Sequence, residues 1–227
     1  EGLARVGVAE DGGMTWGYID TSGTMVIPPR FAYAEDFSEG LAVVGEMGDD
    51  GIPESPDWGG DIADESGPAR RLGESGSPSA CGYIDTSGTL VIPMEYDGAG
   101  GFRDGLAQVW DADGSHFIDK TGTVVAGPYR LAFDFSEGLA YADDGSRQGF
   151  IDTNGNWVTV LESAAIDMSS YLSSFYPFPG SAQGFSEGLM ALQATSGGSP
   201  PGMGTADKGY VDKTGAWVIE PRFNHAC

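Results

Sequence analysis

One phrase occurs five times along this chain, and a repeat of that kind restricts the fold more than any other feature of the sequence. Glu1-Gly-Leu-Ala comes back at Glu39, at Asp104 as Asp-Gly-Leu-Ala, at Glu137, and at Glu187 as Glu-Gly-Leu-Met. An aromatic residue stands two positions ahead of each later copy, at Phe37, Phe102, Phe135 and Phe185. A second phrase follows each first one: Gly17-Tyr-Ile-Asp, Gly82-Tyr-Ile-Asp, His116-Phe-Ile-Asp, Gly149-Phe-Ile-Asp and Gly209-Tyr-Val-Asp. Each leads into a turn glycine (Gly23, Gly88, Gly122, Gly155, Gly215) and then an apolar run, clearest at Met25-Val-Ile-Pro-Pro, Leu90-Val-Ile-Pro and Trp217-Val-Ile-Glu-Pro. The tightest spacing, Asp104 to Glu137, is 33 residues.

Each unit reads as three short strands. Leu41-Ala-Val-Val and Leu106-Ala-Gln-Val-Trp have the residue types that suit pleated, buried surfaces. Tyr18-Ile19 and Tyr83-Ile84 open a second strand, and Asp-Thr-Ser-Gly or Asp-Lys-Thr-Gly supplies a hairpin turn. A third strand, Thr24 to Ile27, is expected to end at the prolines, which cannot donate a ladder hydrogen bond. A unit this small cannot bury its own apolar face, so neighbours must stack. The expected fold is all-β: an array of five three-stranded repeats in a single domain over 1–227, closed as a propeller-like ring or open as a short solenoid. The units run approximately 1–38, 39–103, 104–136, 137–186 and 187–227. Insertions fall at 47–80, 161–184 and 195–206, the second offering helical spacing for one short helix.

The pattern resembles the WG-repeat family, whose unit reads approximately as a Trp-Gly pair, an Ile-Asp, a turn glycine, an Ile-Pro and a Phe-Ser-Glu-Gly-Leu-Ala. The pair itself is intact only at Trp16-Gly17. Its Trp position holds Cys81, Ser115, Gln148 and Lys208 elsewhere, and His116 replaces the glycine. The resemblance implies a scaffold and carries over no catalytic residue.

The chain begins inside a unit, at Glu1-Gly2-Leu3-Ala4, and stops after Phe223 and Cys227, just before the next first phrase is due. The opening strand is therefore expected to complete the last unit, within the molecule or in the next one. Glu1, Gly2, Leu3, Ala4, Phe223 and Cys227 are the candidate assembly interface. With no initiator Met, the chain reads as a processed or trimmed product. Cys81 and Cys227 are a candidate disulfide that would secure whichever closure forms, or else free thiols. In the insertions, Trp58, Tyr171, Phe175, Tyr176 and Phe178 either anchor to the protein's own core or face a partner.

Charge narrows the function classes. The 227 residues carry 34 acidic and 11 basic side chains, a net charge of −23 that repels nucleic acid and anionic lipid. No apolar run approaches a membrane-spanning length. Such a surface suits high ionic strength or divalent cations, hence an extracellular or cell-surface setting. No catalytic, cofactor or metal residues are assigned. Asp20, Asp85, Asp119, Asp152 and Asp212 could in principle serve as acid/base groups, but they recur once per unit beside a turn glycine and are expected to build turns. Glu39, Asp104, Glu137 and Glu187 are expected to cap turns. Calcium stays open at Asp111-Ala-Asp113-Gly114, Asp143-Asp144-Gly145 and Asp49-Asp50-Gly51, none of which completes an EF-hand. Two functions follow. One is a non-enzymatic structural or interaction protein that assembles head to tail, with itself or another surface protein as partner. The alternative is a monomeric closed ring that binds a glycan or small molecule, with Trp58, Trp110, Trp157 or Trp217 stacking on a sugar.

Overall fold

The structure is a computed structural model that describes residues 1–10, 13–46, 80–161, 184–193 and 208–223. Among these residues every element is a β-strand, and the strands form five small antiparallel sheets. The first sheet holds β1 (Leu3–Glu10), β2 (Gly13–Asp20) and β3 (Met25–Phe31). The second holds β4 (Tyr33–Ala34), β5 (Leu41–Glu46), β6 (Ala80–Asp85) and β7 (Leu90–Tyr96). The third consists of β8 (Gly98–Ala99), β9 (Leu106–Asp111), β10 (Gly114–Asp119) and β11 (Val124–Tyr129). The fourth is β12 (Leu131–Ala132), β13 (Leu139–Asp143), β14 (Gln148–Asp152) and β15 (Trp157–Leu161), and the fifth β16 (Leu189–Gln193), β17 (Lys208–Asp212) and β18 (Trp217–Phe223). All five are meanders in chain order, and three gain a two-residue strand that the three-strand reading lacked. The chain divides into two compact units, Glu1–Val124 and Val125–Cys227. The segment with helical spacing, and with it Tyr171, Phe175, Tyr176 and Phe178, lies outside the described residues, as do Trp58 and Cys227.

The strands of the second sheet are apolar on both faces because that sheet is covered on both sides. In β5, Ala42 and Val44 turn back toward the first sheet and pack with Tyr18, Ile27, Phe31 and Phe37. Leu41 and Val43, one residue out of phase, turn forward and pack with Tyr83, Ile92, Phe102 and Val109. In the second unit, Leu139, Tyr141 and Phe150 of the fourth sheet meet Phe185, Met190, Leu192 and Val211 of the fifth. An aromatic pair marks each of these contacts: Tyr18 with Phe37 at 4.8 Å, Tyr83 with Phe102 at 5.0 Å and Phe150 with Phe185 at 4.9 Å between ring centroids. The core is thus a set of layers between sheets, and no sheet has a core of its own.

The third strand corrects an expectation. It does not stop at the prolines: β3 runs through Pro28 and Pro29 to Phe31. It tolerates them because it is an edge strand and is bulged there. Between Trp16 and Tyr18 the partner position moves from Phe31 to Ile27, and the second and fifth sheets repeat this shift. The bulge presses the edge backbone onto the glycine opposite, so that a Cβ on Gly82 would lie 2.6 Å from the Ile92 carbonyl oxygen. This explains the glycine of the Gly-Tyr-Ile-Asp phrase. It also explains its loss at His116, because the edge strand opposite is one residue shorter there: Ala126-Gly-Pro-Tyr129 replaces Ile27-Pro-Pro-Arg-Phe31. Gly82→Ala should therefore cost at least about 2 kcal/mol, as overpacking against backbone does. His116→Ala, which keeps a Cβ already accommodated there, should cost less, about 1 kcal/mol, from the lost side-chain packing and the Asp111 contact. Urea unfolding of the two variants checks the contrast.

Candidate interaction surface

The sequence phrase Ser-Glu-Gly-Leu folds as a two-residue hairpin turn. Ser38 and Leu41 exchange both backbone hydrogen bonds, and Glu39 and Gly40 both have positive φ, 52° and 90°. That is a type I′ geometry, in which glycine is at home at the second position but Asn, Asp or Gly is usual at the first. Glutamate is not. Yet Glu39, Glu137 and Glu187 all occupy the left-handed region, at 52–53°, and Asp104 does so at 52°. A non-glycine residue held there costs about 1–3 kcal/mol.

At Glu39 and Glu137 a bond to the next repeat offsets the strain. The Glu39 carboxylate accepts the Gly105 N–H at 3.1 Å, and Glu137 accepts the Gly188 N–H at 3.0 Å. Glu1 accepts the Gly40 N–H at 2.8 Å. A lysine from the next sheet's turn closes two of these clamps. Lys120 donates to the Glu39 carbonyl at 2.9 Å with its carboxylate at 3.1 Å, and Lys213 treats Glu137 in the same way. The neighbouring serine adds a further strut: Ser38 Oγ donates to the Phe102 carbonyl at 2.6 Å, and Ser136 Oγ to the Phe185 carbonyl at 2.5 Å. Of the acidic residues expected to cap turns, Glu39 and Glu137 therefore sit inside their own turns and cap the next one. Lys213, with help from the Gly188 amide, holds the Glu137 carboxyl below the usual range.

The second recurring carboxylate has a local task. Asp85 Oδ1 accepts the Ser87 hydroxyl at 2.6 Å, the Ser87 amide at 2.9 Å and the Thr89 amide at 2.9 Å. The same arrangement recurs at Asp20, Asp119 and Asp212, and at Asp152 with the amides of Asn154 and Asn156. A hydroxyl donor keeps the carboxyl low at Asp20, Asp85, Asp119 and Asp212, and the Asn156 amide does so at Asp152. The turn glycine packs on the edge strand of the preceding sheet, with Gly88 against Ile27 and Gly122 against Ile92. Arg30 Nη2 also donates to the Gly88 carbonyl at 2.7 Å.

The acidic turns weighed for calcium are engaged in the same fashion. Asp143 is buried, bonded to Arg130 Nη2 at 2.5 Å and to the Gly145 amide at 2.7 Å. Asp144 accepts from the Ser146 and Arg147 amides and the Arg147 guanidinium. Asp111 accepts the Asp113 amide and lies 3.3 Å from His116 Nε2. Asp49-Asp50-Gly51 lies outside the described residues. Cys81 carries a free thiol buried at the second sheet's forward layer, and burial pushes it up to about 12. Trp157 and Trp217 are half-buried, the former under Arg147 at 4.8 Å.

Among the described residues, two sheet faces are less covered than the corresponding faces of the second sheet. On the rear face of the first sheet, Ala4 is exposed and Val6 and Ile19 half-exposed, whereas their counterparts Ala42, Val44 and Ile84 are at most 1% exposed. On the forward face of the fifth sheet, Leu189, Ala191, Tyr210 and Ile219 are half-exposed and Phe223 is 37% exposed. The counterparts of these residues in the second sheet, Leu41, Val43, Tyr83, Ile92 and Tyr96, are all buried. Ser186 and Glu187, the strut and clamp of the fifth sheet, are exposed too. Of the expected interface residues, Ala4 lies on one open face and Phe223 on the other. Leu3 packs inward against the layer between the first two sheets, and the Glu1 carboxylate is already used within the chain. Val6, Ile19, Leu189, Ala191, Tyr210 and Ile219 were missed, because they look identical in sequence to positions that are buried elsewhere.

The family model of the WG containing repeat matches residues 16–46, 82–109 and 209–226. The first match runs from β2 to β5, so the sequence unit bridges two sheets and contains the contact between them. No curated protein and no solved structure matches the chain.

Two measurements follow. Ile84→Ala should destabilise by about 2–5 kcal/mol as a buried large-to-small change, and Ile19→Ala by distinctly less, in chemical denaturation at low protein concentration. The second concerns pH. The turn carboxyls are depressed below their ordinary 3.8, so their stabilisation is complete above about pH 4 and is lost as pH falls through the folded-state values. Melting temperature should hold steady from pH 7 to about pH 5 and fall below about pH 4. Asp85→Asn should narrow the gap between neutral and acid melting.

Proposed function

Because this is a chain of WG-containing repeats, we propose that it is a non-enzymatic scaffold that associates head to tail, the forward face of its fifth sheet docking on the rear face of the first sheet in a second copy. One observation carries this reading: the two open faces are the two halves of a contact that the chain already makes between its own consecutive sheets. A face built like Leu41, Val43 and Tyr83 is covered inside the chain by a face built like Ala107, Val109 and Ile118. Leu189, Ala191 and Tyr210 are the first kind of face, and Ala4, Val6 and Ile19 the second. Because the two faces differ, the contact is heterologous and propagates into a filament unless rotation closes it. The net charge of −23 opposes this stacking, so association strengthens as salt rises toward physiological levels and screens the repulsion. That balance fits a surface or extracellular setting, where salt and divalent cations are abundant.

The test uses two blocked variants. Ala4→Glu places a charge on the rear face and Ala191→Glu one on the forward face, and circular dichroism establishes that each remains folded. In sedimentation at moderate salt, wild type should show concentration-dependent species beyond dimer, and each variant alone should be a monomer. An equimolar mixture should give a dimer and stop there, since each variant retains one sound face. Wild type that stays monomeric at 23.6 kDa across concentration and salt overturns the proposal.

A further inference from the structure

We infer that Glu187 and Thr21 are the recognition pair of this head-to-tail contact, and that threonine at position 21 sets its strength. The inference rests on the stacking just proposed and adds which residues tune it.

Inside the chain the glutamate clamp exists in two grades. In the stronger, the carboxylate meets the next sheet's glycine amide and a lysine also binds it, as at Glu39 with Gly105 and Lys120, and Glu137 with Gly188 and Lys213. Both lysines are the second residue of an Asp-Lys-Thr-Gly turn. In the weaker, Glu1 meets the Gly40 amide, and the corresponding turn of the second sheet reads Asp85-Thr86-Ser87-Gly88, with threonine at the lysine position.

The open faces carry the two halves of one more clamp. Glu187 has the backbone conformation of Glu39 and Glu137, with φ at 53°, and its side chain is exposed. Gly2 has φ of 81°, like Gly105 at 83° and Gly188 at 79°, and is exposed. Stacking one copy on another with the internal geometry brings the Glu187 carboxylate to the Gly2 amide. The lysine position then falls in the turn Asp20-Thr21-Ser22-Gly23, at Thr21. The junction between copies is therefore of the weaker grade, and its partner is a second copy bearing a glycine amide flanked by a neutral turn.

Replacing Thr21 by lysine converts this junction to the stronger grade. Sedimentation at fixed salt should show Thr21→Lys tightening association about three- to tenfold, the effect of one partly exposed ion pair with a charged hydrogen bond. The gain should disappear in Thr21→Lys/Glu187→Gln. Thr86→Lys supplies the control: it adds the same charge beside Glu1 inside the chain, so it should raise the melting temperature without a comparable gain in association. Equal tightening by Thr21→Lys and Thr86→Lys, or tightening that survives Glu187→Gln, overturns the recognition pair and leaves the stacking intact. Failure of the Ala4→Glu and Ala191→Glu mixture to give a capped dimer overturns the stacking itself.

Discussion

Each sheet in this protein is three or four short strands with apolar side chains on both faces, and everything else depends on how those two faces are covered. A single-faced sheet can close its core with a helix or one partner sheet. A double-faced one exposes its second side to water unless it stacks again. Ala42 and Val44 look one way and Leu41 and Val43 the other, within four residues of one strand. The stack therefore has no natural last member. Whatever ends it must be polar, capped, or joined to another stack, as in other repeat architectures.

Apolar layers alone are poor at fixing which sheet sits on which and at what offset. The left-handed glutamate supplies that register. Its position is unfavourable in isolation, so it persists where the surrounding contacts determine it. Here those contacts are the amide of the next glycine, a serine hydroxyl on the next phenylalanine carbonyl, and in two cases a lysine. A turn with Asn-Gly would fold more easily within one sheet. Glutamate gives up that local ease for reach, and the reach sets the spacing between sheets. The turn aspartates do the complementary work locally, so the two recurring acids divide intra-sheet and inter-sheet roles between them.

Much of this was legible in the sequence because a repeat exposes its own grammar. The hairpin after Asp85, the strand at Leu41 and the all-β class follow from residue types and spacing. The path of the edge strand did not, because Pro28 and Pro29 read as terminators until the bulge opposite Gly17 is seen. Nor did the role of Glu39, since a carboxylate beside a glycine looks the same whether it caps its own turn or reaches to Gly105, 66 residues away. The open faces were hardest of all. Ile19 and Ile84 occupy identical phrases, and among the described residues only the packing of a neighbouring sheet on Ile84 distinguishes them.

The chain's acidity acts against the same stacking that its repeats favour. The chain carries thirty-four acidic side chains, and in the proposed stacking each added copy would bring another −23. Short-range apolar contact and the glutamate clamp fall off within a few ångströms, whereas repulsion among the surface charges extends over roughly a Debye length, about 8 Å at physiological salt. A contact between copies of the proposed kind would therefore be tunable by ionic strength, while the contacts between sheets within a chain, buried and enforced by connectivity, are much less so. The distribution of basic residues agrees with this division. Lys120, Lys213, Arg30 and Arg130 are committed to bonds inside the repeats. Position 21, on the turn that would face another copy, is neutral. Two internal junctions are thus made firm with lysines, while the junction at Glu1 and Gly40 does without one, and the proposed contact between copies would be of this second kind.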